Sequence, residues 1–319
     1  MRFERRIATY ELVLMLLIEL LIIPLIFPSG IDVYGAWDVG VILSELVIMV
    51  PALVLTVIWY FTNMWKADND PEYVPITLSE RLMFKSVKIR TVFLTVLFAI
   101  VLGPITSLLN SISMLFVDNV VIEQGEEILS LPAGVALFLM AIYGPMCEEF
   151  AFRGIVYGGF RRYCKPRAAV IVSGLIFGLM HLNFNQFSYA FAIGIAMALL
   201  VEASGSIWTS FILHMIINGT SGVYMFLLDN YSGSSFMELA EADMANTEMM
   251  IPSIIALAFI SIVCFFIARK ILNVIARVEG REDISTLMRY SREYKGGPIF
   301  SVLLVVTMAI CAYLTVFNS

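Results

Sequence analysis

Two adjacent carboxylates and an arginine, Glu148-Glu149-x-x-x-Arg153, interrupt an apolar run, and both histidines of the chain, His181 and His214, follow in apolar surroundings. Asn218 lies four residues after His214, so its amide shares a helical face with that imidazole. A carboxylate shielded from bulk water can act as a general base toward water. A histidine beside it can orient that water or ligate a metal, and an imidazole with an amide can donate hydrogen bonds to a developing oxyanion. These are the groups that hydrolysis of an amide bond requires. Glu148, His181 and His214 could also form a two-histidine, one-carboxylate zinc site with an open position. The same groups suffice without a metal, and Asn218 is a better oxyanion donor than zinc ligand. The preferred reading is a glutamate base with no certain cofactor, zinc being the alternative.

Spacing divides the labour within the first cluster. Glu149 and Arg153 stand at i and i+4 with the carboxylate first, the favourable order for a helical ion pair. That pair neutralises the arginine and leaves Glu148, about 100° round the helix, free for other work. Pro145 cannot donate to the carbonyl of Ala141, so with Gly144 it predicts a kink or a widened turn just before the carboxylates.

Glu148 and His181 are nearly equidistant from Cys164-Lys165-Pro166, and an antiparallel hairpin turning there sets both roughly 20–25 Å along their helices, face to face. Gly154-x-x-x-Gly158 and Gly174-x-x-x-Gly178 have the spacing that lets membrane helices approach closely, and predict that these two arms meet through their glycines. His214 and Asn218 lie roughly 12–20 Å from the start of their own span near Ser206, an overlapping depth.

The elements that must position these groups are membrane helices. Of 319 residues, 60% are hydrophobic and 14% charged, with a mean hydropathy of +0.89, against about 25% charged in soluble domains. This composition predicts an all-α, polytopic membrane helical bundle in the cell membrane, with lipids as its surroundings and no nucleic-acid partner. Apolar segments fall near 10–27, 41–62, 91–109, 131–150, 168–183, 188–203, 206–228, 251–268 and 298–317. They make about nine spans, or eight if the short fifth and sixth merge. All 20 Lys and Arg fall at 2–6, 66–90, 153–167 and 269–295, on the cytoplasmic side if the N-terminus is inside, while the opposite loops hold none.

Three parts follow: N-terminal helices with a cytoplasmic loop at 63–90 (1–128), a core carrying the motifs (129–228), and a C-terminal part (229–319) with an acidic outer loop, a basic segment and two helices. Four singly spaced cysteines indicate neither a disulfide framework nor a zinc knuckle. Glu11, Glu45 and Glu202 read as interfacial and Glu19 as a mid-span carboxylate.

Glu148-Glu149-x-x-x-Arg153, Phe177-x-x-x-His181 and His214-x-x-x-Asn218, in that order on successive membrane helices, resemble the signature of the CPBP intramembrane proteases. That group includes type II CAAX prenyl endopeptidases and bacterial bacteriocin-processing or self-immunity proteins, and it is often called metalloprotease. The resemblance covers about residues 130–228. It implies that Glu148 activates water, His181 assists, His214 and Asn218 stabilise the oxyanion, and Glu149 with Arg153 hold the site together. An intramembrane endopeptidase acting on membrane-associated or lipidated peptides is therefore expected. The alternatives are a proton-coupled transporter and a catalytically silent immunity or scaffold protein. Other intramembrane proteases fit less well: no H-E-x-x-H or G-x-G-D occurs, and no histidine follows the G-x-S-G string at Gly219–Gly222 that a rhomboid-type serine would need.

Overall fold

The computed structural model describes residues 10–11, 37–231, 235, 247–289 and 302–317, and among these there are helices and turns but no strands. The expected span near 10–27, with Glu19, lies outside the described residues apart from Tyr10 and Glu11, as do most of the outer loop at 229–250 and the end of the basic segment. The described helices, in chain order, are α1 (Trp37–Asn69), α2 (Leu78–Arg81), α3 (Ile89–Ser113), α4 (Val120–Glu123), α5 (Gly125–Ser130) and α6 (Ala133–Arg162). They continue with α7 (Pro166–Leu179), α8 (Phe184–Ser204), α9 (Ile207–Tyr231), α10 (Thr247–Val278), α11 (Ile284–Leu287) and α12 (Val302–Phe317). Six of them, α1, α3, α6, α8, α9 and α10, are long and apolar enough to cross a bilayer, and α7 and α12 are shorter apolar helices. The protein is a multi-pass integral membrane protein with an all-helical bundle.

Alternating direction brings several connections to one end. There Arg162 donates to the Glu80 carbonyl at 3.1 Å, the Ile207 amide to the Met83 carbonyl at 3.1 Å, and the Lys88 amide to Glu279 at 2.9 Å. These bonds gather lysine- and arginine-bearing turns on one side. At the opposite end the buried Asn185 amide donates to Asn110 and Ser113, 2.9 Å each, tying α8 to α3. Helix α8 is the centre of the bundle, with 61% of its most apolar window buried against 6% for the peripheral α10.

The glycine pairs find partners other than those expected. A Cβ on Gly174 would lie 3.0 Å from the Ile195 amide nitrogen and one on Gly178 would lie 3.1 Å from that of Phe191, so the α7 glycines seat α8. The glycines of α6 instead receive the turn after α2. There a Thr77–Glu80 capping box opens α2, and the turn carries Arg81 and Leu82 inward. Arg81 donates to the Gly154 carbonyl at 2.9 Å, and a Cβ on Gly158 would meet its guanidinium at 3.0 Å. Small-x-x-x-small spacing makes a groove on a helix; which neighbour fills it is decided by the rest of the bundle.

Candidate active site

Local sequence sets the shape of α6. Pro145 has no N–H for the carbonyl of Ala141, and the helix responds with a widened turn over Leu139–Tyr143, in which Gly144 donates five residues back to Leu139. A second wide stretch runs over Glu149–Tyr157, so Glu148 ends the short regular turn between two widened segments and Glu149 opens the second. The widening expected before the carboxylates is present, and the second stretch, which the sequence did not signal, carries Glu149 and Arg153.

Four side chains form one line. Arg153 Nε lies 3.3 Å from Glu149 Oε2, and Glu149 Oε1 accepts from His214 Nδ1 at 3.2 Å. His214 Nε2 then faces Glu148 Oε2 at 3.8 Å. Because a carboxylate only accepts, the Glu149 contact puts a proton on His214 Nδ1 and directs Nε2 toward Glu148. Glu149 and Arg153 are buried, whereas the Glu148 side chain keeps 17% exposure, which leaves it reachable. Its Oε2 has no hydrogen-bond partner among the described residues. The i,i+4 ion pair is as expected, but Glu149 has a second function: it also orients the imidazole of His214.

His181 joins through an aromatic wall. The Phe177 ring stands edge-on to His181 at 5.1 Å and to His214 at 5.8 Å, and the Arg153 guanidinium lies over it at 4.3 Å. His181 Nδ1 donates to the Phe177 carbonyl at 2.8 Å, which leaves Nε2 as its acceptor. Gly194 makes room for this wall, since a Cβ there would lie 3.2 Å from the Phe177 ring. Asn218, one turn after His214, donates to the Met140 carbonyl at 3.2 Å, in the widened turn before the carboxylates.

The three carboxylates read as interfacial, Glu11, Glu45 and Glu202, are all buried. Glu45 of α1 packs against Gly144, where a Cβ would meet its Oε1 at 3.1 Å, and it interacts electrostatically with Glu148. Nothing in the spacing links Glu45 to a cluster about a hundred residues later. Glu202 accepts from the Tyr157 hydroxyl at 2.5 Å and pairs with Arg161, which neutralises a buried charge at the α6–α8 contact.

Among the described residues no three His, Cys, Asp or Glu side chains are arranged as ligands of one ion. Anchoring Nδ1 of His214 on Glu149 and of His181 on a carbonyl leaves Nε2 of each as the ring atom for chemistry. The described cysteines form no disulfide with one another. Ser221 is exposed and donates back to the Ile217 carbonyl, without a histidine partner.

With this geometry in hand, residues 130–220 match the sequence model of the Rce1-like type II CAAX prenyl endopeptidase family. The chain is also similar to YdiL of Bacillus subtilis (strain 168), a protein given the name of a membrane peptidase, at 29% identity over 98 residues, 30% of this chain and 40% of that protein. It is similar to MroQ of Staphylococcus aureus (strain USA300), named a membrane-embedded CAAX protease, at 28% identity over 99 residues, 29% of this chain and 40% of that protein. The matched stretch thus spans about two fifths of the length of these curated relatives. No solved structure matches the chain. The resemblance drawn from the three motifs is borne out over 130–220, which contains Glu148, Glu149, Arg153, His181, His214 and Asn218.

Proposed function

From the kinship of residues 130–220 with Rce1-like endopeptidases, we propose that the chain is an intramembrane endopeptidase that hydrolyses a peptide bond in a membrane-associated or lipidated peptide. The observation that carries this reading is the line Arg153–Glu149–His214–Glu148, which ends on a partly exposed carboxylate whose buried Oε2 has no hydrogen-bond partner among the described residues.

In this mechanism Glu148 takes a proton from a water whose position His181 Nε2 fixes by accepting its second hydrogen. The oxygen bonds to the carbonyl carbon, and the carbonyl oxygen becomes an oxyanion. The Asn218 amide donates to that oxyanion, as does His214 in its imidazolium form, with one N–H on Glu149 and Nε2–H on the oxyanion, and Glu149 holds His214 in the orientation this needs. Glu148 returns its proton to the leaving nitrogen as the C–N bond breaks, giving an acid and an amine. Arg153 pairs with Glu149 and fixes it without touching substrate.

The test is cleavage in proteoliposomes, read by mass spectrometry of new peptide termini against Glu148→Gln. Loss of cleavage with an unchanged folded protein is expected. Turnover retained by Glu148→Gln would overturn the assignment.

A further inference from the structure

We propose that Asn183 is a positioning residue for His181, holding the catalytic imidazole in place through a strained turn that the motif pattern does not include. The inference rests on the peptidase reading above for the work that His181 does. Its physical basis lies in the turn itself.

Helix α7 ends at Leu179 and α8 begins at Phe184, so His181 sits in a connection of four residues rather than inside a helix. Leu182, directly after it, has φ +54°, a left-handed conformation that L residues with large side chains rarely adopt. Among the described residues, Met83 is the other non-glycine with a positive φ. Such a conformation persists where surrounding contacts over-determine it. Here they do. The Asn183 amide donates to the His181 carbonyl at 2.9 Å and to the Gln186 side chain at 2.5 Å. Its side-chain oxygen accepts the Gln186 amide at 2.8 Å, capping α8. Leu182 is anchored beneath among Leu179 and Cys311, and three residues on, Asn185 is fixed to Asn110 and Ser113 of α3.

Asn183 therefore does two separable things. Its oxygen starts α8, and its nitrogen holds the backbone of His181, whose ring reaches back to the Phe177 carbonyl. The left-handed turn and the amide together fix where the His181 backbone leaves α7, and so where Nε2 is presented.

Two substitutions divide these functions. Asn183→Asp keeps an oxygen for the Gln186 amide and has no donor for the His181 carbonyl, and Asn183→Ser keeps the oxygen and exchanges the amide donor for a hydroxyl on a shorter side chain. Full-length protein in proteoliposomes is assayed for kcat and KM on a cleavable membrane peptide. In parallel, ¹⁵N-histidine-labelled protein, with two histidines in all, gives one ring signal set for each, assigned with His214→Ala. The expected result is a fall in kcat of about 10²-fold with KM little changed. The His181 ring signal shifts or broadens, His214 does not, and the thermal midpoint stays near that of wild type. If Asn183→Ser does not fold, Asn183→Asp, the stronger cap, decides. Unchanged kcat, or a slowed kcat with an unmoved His181 signal, overturns the proposal. If Glu148→Gln cleaves as wild type does, the peptidase reading fails instead, and the ring signals still report whether Asn183 positions His181.

Discussion

His214 and His181 stand against the same phenylalanine, Phe177, yet they are held by different means. His214 lies inside a long helix with its Nδ1 on a buried, ion-paired carboxylate, and the restraint is electrostatic. His181 lies beyond a helix end with its ring on a backbone carbonyl and its own carbonyl on an amide, and the restraint is conformational. Removing one charge on the first side leaves an unpaired ion in a low-dielectric interior, which costs stability. Removing the amide on the second side loosens a turn and costs precision. The difference predicts that the His214 side fails by unfolding or by loss of charge, and the His181 side by misplacement.

The largest expected effect is at the carboxylate both sides serve. On the proposed mechanism Glu148→Gln should lower cleavage by about 10³-fold or more, read as initial rate in proteoliposomes, because it removes the proposed base while the shape remains. Next, Arg153→Met should destabilise the fold by about 3–5 kcal/mol, since it strands the Glu149 carboxylate in the interior. Chemical denaturation in detergent checks this; a stable variant would mean that the pair is dispensable to the bundle. Glu149→Gln keeps the shape but weakens its bonds to both Arg153 and His214, and kcat should fall by about 10²-fold while KM changes little.

Smaller effects probe the other side and the periphery. Gly194→Ala would put a Cβ 2.9 Å from Gly174 Cα and 3.2 Å from the Phe177 ring, so it should cost about 1–3 kcal/mol. It should also disturb the His181 ring signal more than that of His214. The smallest is just beyond α10, where Arg277 hydrogen-bonds Asp283 at 2.9 Å and so holds its carboxyl below the usual value. That contribution is present above the unfolded carboxyl's pKa and is lost as pH falls through the lowered folded value. Asp283→Asn should therefore leave the thermal midpoint nearly unchanged at neutral pH and flatten its decline in acid, because the pair is exposed.

Much of the site was legible in the sequence. The i,i+4 spacing of Glu149 with Arg153 and of His214 with Asn218 states which groups share a helix face, and Pro145 with Gly144 states where the helix must widen. Less legible was the packing of one helix on another. Glu45 read as an interfacial carboxylate and is packed against the helix that carries Glu148. Glycines that read as mates of one another receive Arg81 and Leu82 on α6 and α8 on α7. Asn183 carried no signal, because a helix cap and a restraint on the preceding turn look alike in sequence.

By itself the sequence determined a polytopic helical membrane protein and the order of its apolar segments, and it named the residues proposed to carry the chemistry. Each of these follows from composition, from hydropathy along the chain or from the 3.6-residue period of one helix. The tertiary structure alone decided that Glu149 serves both Arg153 and His214, that Phe177 packs against both imidazoles, and that His181 hangs on a left-handed turn. Those facts depend on how helices distant in sequence cross and which side chain fills which groove, and neither period nor propensity records that.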